Sequence, residues 1–162
     1  MCKTYRIEMA RTWKDKQAIA KELIESIREI DKYEMEGLGF TTEQGVMSSI
    51  YDTTPVFYAK AKDNGKLIAC WGLQALIGQN KNTYIIWALG TDEMERFRKS
   101  FVKESDAIIK RWAELYGELT NTVAVKNRRA IGWLKHLGAE FVNRRTYNGV
   151  EYVDFIIRKK VD

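Results

Sequence analysis

The chain is short of the residues from which most recognisable sites are built. Two of its 162 residues are cysteine, Cys2 and Cys70, too few for a disulfide framework or a four-cysteine zinc site. Their scarcity suits a reducing cytosol. A lone histidine, His136, excludes a multi-histidine metal centre, and no metal is expected. Pro55 is the single proline and the eleven glycines are scattered, so no Pro- or Gly-rich linker divides the chain. Apolar runs stay well short of the ~20 residues of a membrane span. The opening Met1-Cys2-Lys3-Thr4-Tyr5-Arg6 lacks the apolar stretch of a signal peptide. Secreted, membrane and disordered classes are therefore disfavoured. Phosphate-loop (GxxxxGKS/T), HExxH, CxxC and GxSxG signatures are all missing. Gly37-Leu38-Gly39 has neither a third glycine nor a strand before it and reads as a turn.

What is present suffices for a core. Apolar residues make up 45%, charged residues 30% and aromatics 12%, a composition of folded proteins, and the chain reads as one domain over 1–162. The net charge is +5, from 27 basic and 22 acidic side chains. Its excess lies in residues 121–162, which hold nine basic side chains against four acidic ones. Lys126, Arg128, Arg129, Arg144 and Arg145 form the body of this basic surface, and Arg158-Lys159-Lys160 follow. Two readings stay open: non-specific contact with DNA phosphates, or a solvated basic face.

Periodicity sets the elements. Tyr5, Ile7 and Met9 alternate with charge as a strand. Thr12 and Asp15 have capping-box spacing ahead of Ile19, Leu23, Ile24, Ile27 and Ile30, which recur at helical spacing. Thr41 and Gln44 start a helix over 42–51. Strands over 56–62 and 67–77 flank Asp63-Asn64-Gly65, a hairpin signal of type I′, and a third strand spans 84–89 after a loop at 78–82. The longest helix begins at 91–92 with Met94, Phe97, Phe101, Ile108, Trp112 and Leu115 on one face. A strand over 120–125, a helix over 127–137 closed by Gly138, and a hairpin over 141–157 complete the order. The crossover through the long helix makes strands four and five parallel. The fold class is α/β: a mixed, mostly antiparallel sheet of about seven strands with helices on both faces. Cys70 reads as a buried, inert thiol, and His136 lies on the exposed side of its helix.

Asn127-Arg128-Arg129-Ala130-Ile131-Gly132-Trp133-Leu134-Lys135-His136-Leu137-Gly138 resembles the late helix of the GNAT (GCN5-related N-acetyltransferase) fold, where Asn opens the helix and a Leu-Gly step closes it. The order of elements resembles that fold over the whole chain, the motifs over 84–141. The segments WALGTDE, LYGELTNTVAVKN and IGWLKHLGAEF, with Phe101 and Trp112 between, also resemble the internal virion protein A family of short-tailed phages. That narrower resemblance implies a virion-associated or morphogenesis protein in the host cytoplasm and the virion. It would act through contacts with other phage or host proteins, without acetyl transfer and with no cofactor. The broader one implies an acetyl-CoA-dependent N-acetyltransferase acting on a host protein or small amine, with Trp87, Leu89, Thr91 and Asn127 at the acetyl-CoA site if it binds. A host-directed inhibitor or nucleic-acid-binding module is a third reading.

The resemblance departs from an acetyltransferase in two places. The family holds pyrophosphate on free N–H groups in an Arg/Gln-x-x-Gly-x-Gly/Ala loop at the start of the long helix. Here Gly90-Thr91-Asp92-Glu93-Met94-Glu95-Arg96 supplies one glycine and three acids. Asp92 and Glu95 have capping-box spacing that can satisfy the same donors, while Arg96 and Arg98 most simply pair with acids along the helix. The family's acid Tyr on the late helix corresponds to Leu134, which holds no proton to give. Tyr116, Tyr147 or Tyr152 could substitute, and Glu114 or Glu118 could serve as bases only if the fold brings them to a cleft. No catalytic residue is assigned from sequence.

Overall fold

Among the described residues, seven strands and five helices follow one another as β1 (Tyr5–Ala10), α1 (Trp13–Ser26), α2 (Glu29–Gly37), α3 (Thr42–Tyr51), β2 (Val56–Ala61), β3 (Leu67–Ala75), β4 (Thr83–Gly90), α4 (Met94–Tyr116), β5 (Glu118–Ala124), α5 (Arg128–His136), β6 (Glu140–Tyr147) and β7 (Val150–Ile157). The computed structural model describes residues 4–76 and 83–159. The loop expected at 78–82 and the last residue of the strand expected over 67–77 lie outside the described residues. The strands form one sheet in the order β1-β2-β3-β4-β5-β7-β6. β4 and β5 run parallel, as the crossover requires, whereas β1–β2, β2–β3, β5–β7 and β6–β7 are antiparallel. This is the mixed, mostly antiparallel α/β architecture that the periodicity predicts. Among the described residues no helix is long and apolar enough to cross a membrane.

The chain divides into two compact units, residues 1–74 with 87–97, and residues 75–86 with 98–162. In the first, Thr12 and Asp15 form the capping box that starts α1: Thr12 Oγ1 accepts the Asp15 N–H at 3.1 Å and Asp15 Oδ2 accepts the Thr12 N–H at 3.1 Å. Thr41 and Gln44 do the same for α3. Leu23, Val46, Ile50, Val56, Leu67 and Cys70 are fully buried in the core of this unit, each large aliphatic side chain contributing about 1.5–3 kcal/mol of burial. Burial also pushes the Cys70 thiol up, leaving it protonated and inert at neutral pH.

Two expectations change here. The helix expected to run on to Ile30 stops at Ser26. Ile27 and Arg28 are extended because their backbone pairs with the end of β4: Ile27 bridges Thr91, and the Arg28 N–H donates to the Gly90 carbonyl at 3.0 Å. A separate helix, α2, then begins at Glu29. The β2–β3 connection is not a two-residue type I′ turn. Gly65 alone has positive φ, +69°, and its N–H reaches back to the Ala61 carbonyl at 2.9 Å, closing a four-residue loop.

In the second unit the buried stripe of α4 includes Ile109 and Ala113, whereas Leu115, expected on the apolar face, is exposed. Asn127 caps α5 by accepting the Ala130 N–H at 3.2 Å, and Gly138, with φ +81°, ends it. Asn148 and Gly149 both have positive φ, so the last hairpin turns as a primed type.

Candidate functional site

β4 ends in the first unit and turns into α4 there, so this junction is where a helix N-terminus could receive an anion. Six of its seven donors from Gly90 to Arg96, all but that of Asp92, are already used. The Gly90 N–H donates to Asp31 Oδ2 at 2.8 Å, and the Thr91 N–H to the Ile68 carbonyl at 3.0 Å. The Glu93 N–H donates to Thr91 Oγ1 at 3.2 Å. Those of Met94, Glu95 and Arg96 go to the carbonyls of Thr91, Asp92 and Glu93 at 3.1, 3.4 and 3.1 Å. A turn in front of the helix thus closes the start with backbone and the Thr91 hydroxyl, in place of the Asp92–Glu95 side-chain box that the spacing suggests.

The side chains around the junction are equally committed. Asp31 is 5% exposed and gripped by Arg28 through two hydrogen bonds, Nε to Oδ2 at 3.0 Å and Nη2 to Oδ1 at 3.1 Å. Burial raises its carboxyl above the ordinary range, against the opposing pull of Arg28 and the Gly90 N–H. Arg28 lies so close that a Cβ on residue 90 would meet its Nε at 2.8 Å. Arg96 is bonded to Asp63 and to Glu93, the latter at 2.6 Å. Its hydrogen bonds hold both carboxyls below their ordinary range. Thr91, 1% exposed, donates its hydroxyl to the Leu67 carbonyl at 2.6 Å. As it stands, the junction does not fit a pyrophosphate.

The other residues of the expected acetyl-CoA set are distributed as follows. Trp87, in the first unit, is buried, and its indole N–H donates to Thr53 Oγ1 at 2.9 Å. Thr53 Oγ1 also accepts from Gln74 Nε2 at 2.8 Å, and its carbonyl receives the Lys16 ammonium at 2.7 Å. Leu89 packs against the core of the same unit. Asn127 belongs to the second unit, as the α5 cap. Arg28, Asp31, Thr53 and Lys16 are the residues that sequence reasoning passes over. Lys16 alone carried a signal, falling in the stripe 16, 19, 20 and 23 that α1 buries.

In the second unit the parallel β4–β5 ladder pairs Thr83, Tyr84 and Ile85 with Glu118, Leu119 and Thr120. The Asn121 side-chain amide then donates to the Ile86 carbonyl at 2.7 Å, so a side chain takes over from the backbone there. Thr122 Oγ1 donates to Asp154 Oδ1 at 2.6 Å, and Arg145 bonds the same carboxylate. Arg144 pairs with Glu151 at 2.6 Å. Two members of the expected basic surface are therefore committed to ion pairs within the final strands, while Lys126, Arg128 and Arg129 gather at the start of α5. Leu134 is buried at 2% exposure and Tyr152 at 0%. Tyr147 is exposed near Tyr152, with ring centroids 6.2 Å apart, and Tyr116 lies 5.1 Å from the Tyr84 ring. Glu114 faces Arg111, and Glu118 faces Arg158, each at 3.8 Å. Among the described residues no cluster of His, Cys, Asp and Glu could hold a metal ion.

No protein-family model matches the sequence, and no curated protein matches it. Solved structures do. The ribosomal-protein alanine N-acetyltransferase of Escherichia coli is 11% identical with a TM-score of 0.63, over 98% of this chain and 97% of that one. A GNAT-family acetyltransferase from Bacillus anthracis is 12% identical, TM-score 0.61, over 98% and 96%. A chimeric spermidine N-acetyltransferase from Vibrio cholerae is 12% identical, TM-score 0.58, over 96% of each. These correspondences span nearly the whole of each chain: this protein has the fold of the GNAT acetyltransferases.

Proposed function

We propose that the protein is an N-acyltransferase that moves an acetyl group from a thioester to an amine. The observation that carries this reading is the likeness over nearly the full length of both chains to the structures of N-acetyltransferases. In the transfer a C–N bond forms and the C–S bond breaks, and the proton lost by the amine ends on the departing thiol. These two neighbours act on different acceptors, a protein alanine and spermidine, so both amine classes belong in the test. Purified protein, incubated with acetyl-CoA and with alanyl peptides, lysyl peptides or spermidine, is expected to yield an acetylated product in proportion to protein added, read by mass spectrometry. Absence of product with every acceptor contradicts the reading.

A second reading is favoured by one observation, the occupied donors at the β4–α4 junction. On it the protein is a GNAT-fold scaffold without acetyl transfer, acting through protein contacts. The resemblance of its WALGTDE, LYGELTNTVAVKN and IGWLKHLGAEF segments to the internal virion protein A family of short-tailed phages supports a place in the virion. Recovery of the chain from purified phage particles, together with no acetylated product, would favour it.

A further inference from the structure

The junction between β4 and α4 is closed by more than a missing glycine. Six of the seven N–H groups from Gly90 to Arg96, all but that of Asp92, are bonded within the first unit. One acceptor among them, Asp31, is itself an anion, buried and held by two bonds from Arg28. A second guanidinium, Arg96, is shared between Asp63 and Glu93. Glu93 also receives the Asn64 side-chain amide at 3.5 Å, which ties the β2–β3 loop to the start of α4. A phosphate needs free donors and uncompensated positive charge. This junction offers Asp63, Asp92, Glu93 and Glu95 against Arg96 and the neighbouring Lys66, and repels one.

Resting on the acyltransferase reading, we infer that the acyl donor is recognised without its pyrophosphate: the β4–α4 junction does not hold the nucleotide half of the donor at the start of α4. The Asp31 carboxyl occupies the Gly90 N–H from within the unit. The Arg96 ion pairs compete with a phosphate for that side chain.

Calorimetric titration of the whole protein with CoA, with pantetheine and with inorganic pyrophosphate separates the cases. The expected result is that CoA and pantetheine bind with dissociation constants within about threefold of each other, while pyrophosphate gives no saturable heat up to about 1 mM. Binding of CoA about a hundredfold tighter than pantetheine, or saturable binding of pyrophosphate that CoA displaces, overturns the inference and leaves the acyltransferase reading standing. If neither thiol binds, the acyltransferase reading fails and the inference falls with it.

Discussion

Thr53 shows how much one side chain can organise. Its hydroxyl oxygen accepts from Trp87 and Gln74, and its carbonyl takes the Lys16 ammonium, so three buried or half-buried polar groups depend on it. Its methyl group lies against Gly72, where an added Cβ would come within 2.5 Å of Thr53 Cγ2 and 3.3 Å of the Trp87 indole nitrogen. Gly72→Ala should therefore cost about 1–3 kcal/mol by overpacking, read as a lower denaturation midpoint. Thr53→Ser keeps the hydroxyl and removes the clashing methyl. Combined with Gly72→Ala it should lose less stability than the two single changes added together. Strict additivity would show that the methyl is not what excludes a side chain at 72. Little of this was legible in sequence. Thr53 precedes Thr54 and Pro55 and reads as loop, and nothing local ties it to a tryptophan 34 residues later. Lys16 was readable in principle, because a lysine within a buried helical stripe needs an acceptor.

Among the elements, capping boxes were the most legible. Thr12–Asp15 and Thr41–Gln44 start their helices as the spacing predicts, because both partners lie within one turn of chain. The break after Ser26 was not legible. Ile27 and Ile30 continue the apolar period across it, and the backbone that interrupts the helix comes from Gly90 and Thr91. The same limit governs the start of α4, where acidic residues announced a closed helix end but not the Thr91 turn that closes it. Acid should test this element. Asp63 and Glu93 have carboxyls held below their ordinary range by Arg96, so their contribution is present at neutral pH and is lost as pH falls through and below about 4. Asp31 works in the opposite sense, since its raised carboxyl favours the folded state as it gains a proton. Comparing wild type with a Asp63→Asn, Glu93→Gln double variant isolates the Arg96 pairs. The variant should melt lower at neutral pH and lose less of its remaining stability between pH 5 and pH 3, in thermal scans by circular dichroism. Parallel curves for the two proteins would contradict the assignment.

For the molecule as a whole, element order and the crossover through the long helix were enough to predict a mixed, mostly antiparallel sheet with β4 and β5 parallel, but not the strand order, in which β7 lies between β5 and β6. Right-handed βαβ connection and short hairpins leave few alternatives. Charge was less transparent. The basic excess of residues 121–162 is real, yet Arg144, Arg145 and Arg158 are bonded to Glu151, Asp154 and Glu140, pairings that only strand register reveals. At 11–12% identity the shared architecture is a property of topology and packing, whereas chemistry rests on individual donors and charges. Those at the β4–α4 junction are turned inward. On the proposed reading this fold transfers acyl groups from thioesters without gripping a nucleotide. Thiol release from acetyl-CoA and from S-acetylpantetheine, followed with the same accepting amine, tests it most directly. The account predicts protein-dependent release from both at kcat/KM values within about threefold; no release from either, or release from acetyl-CoA alone, would contradict it.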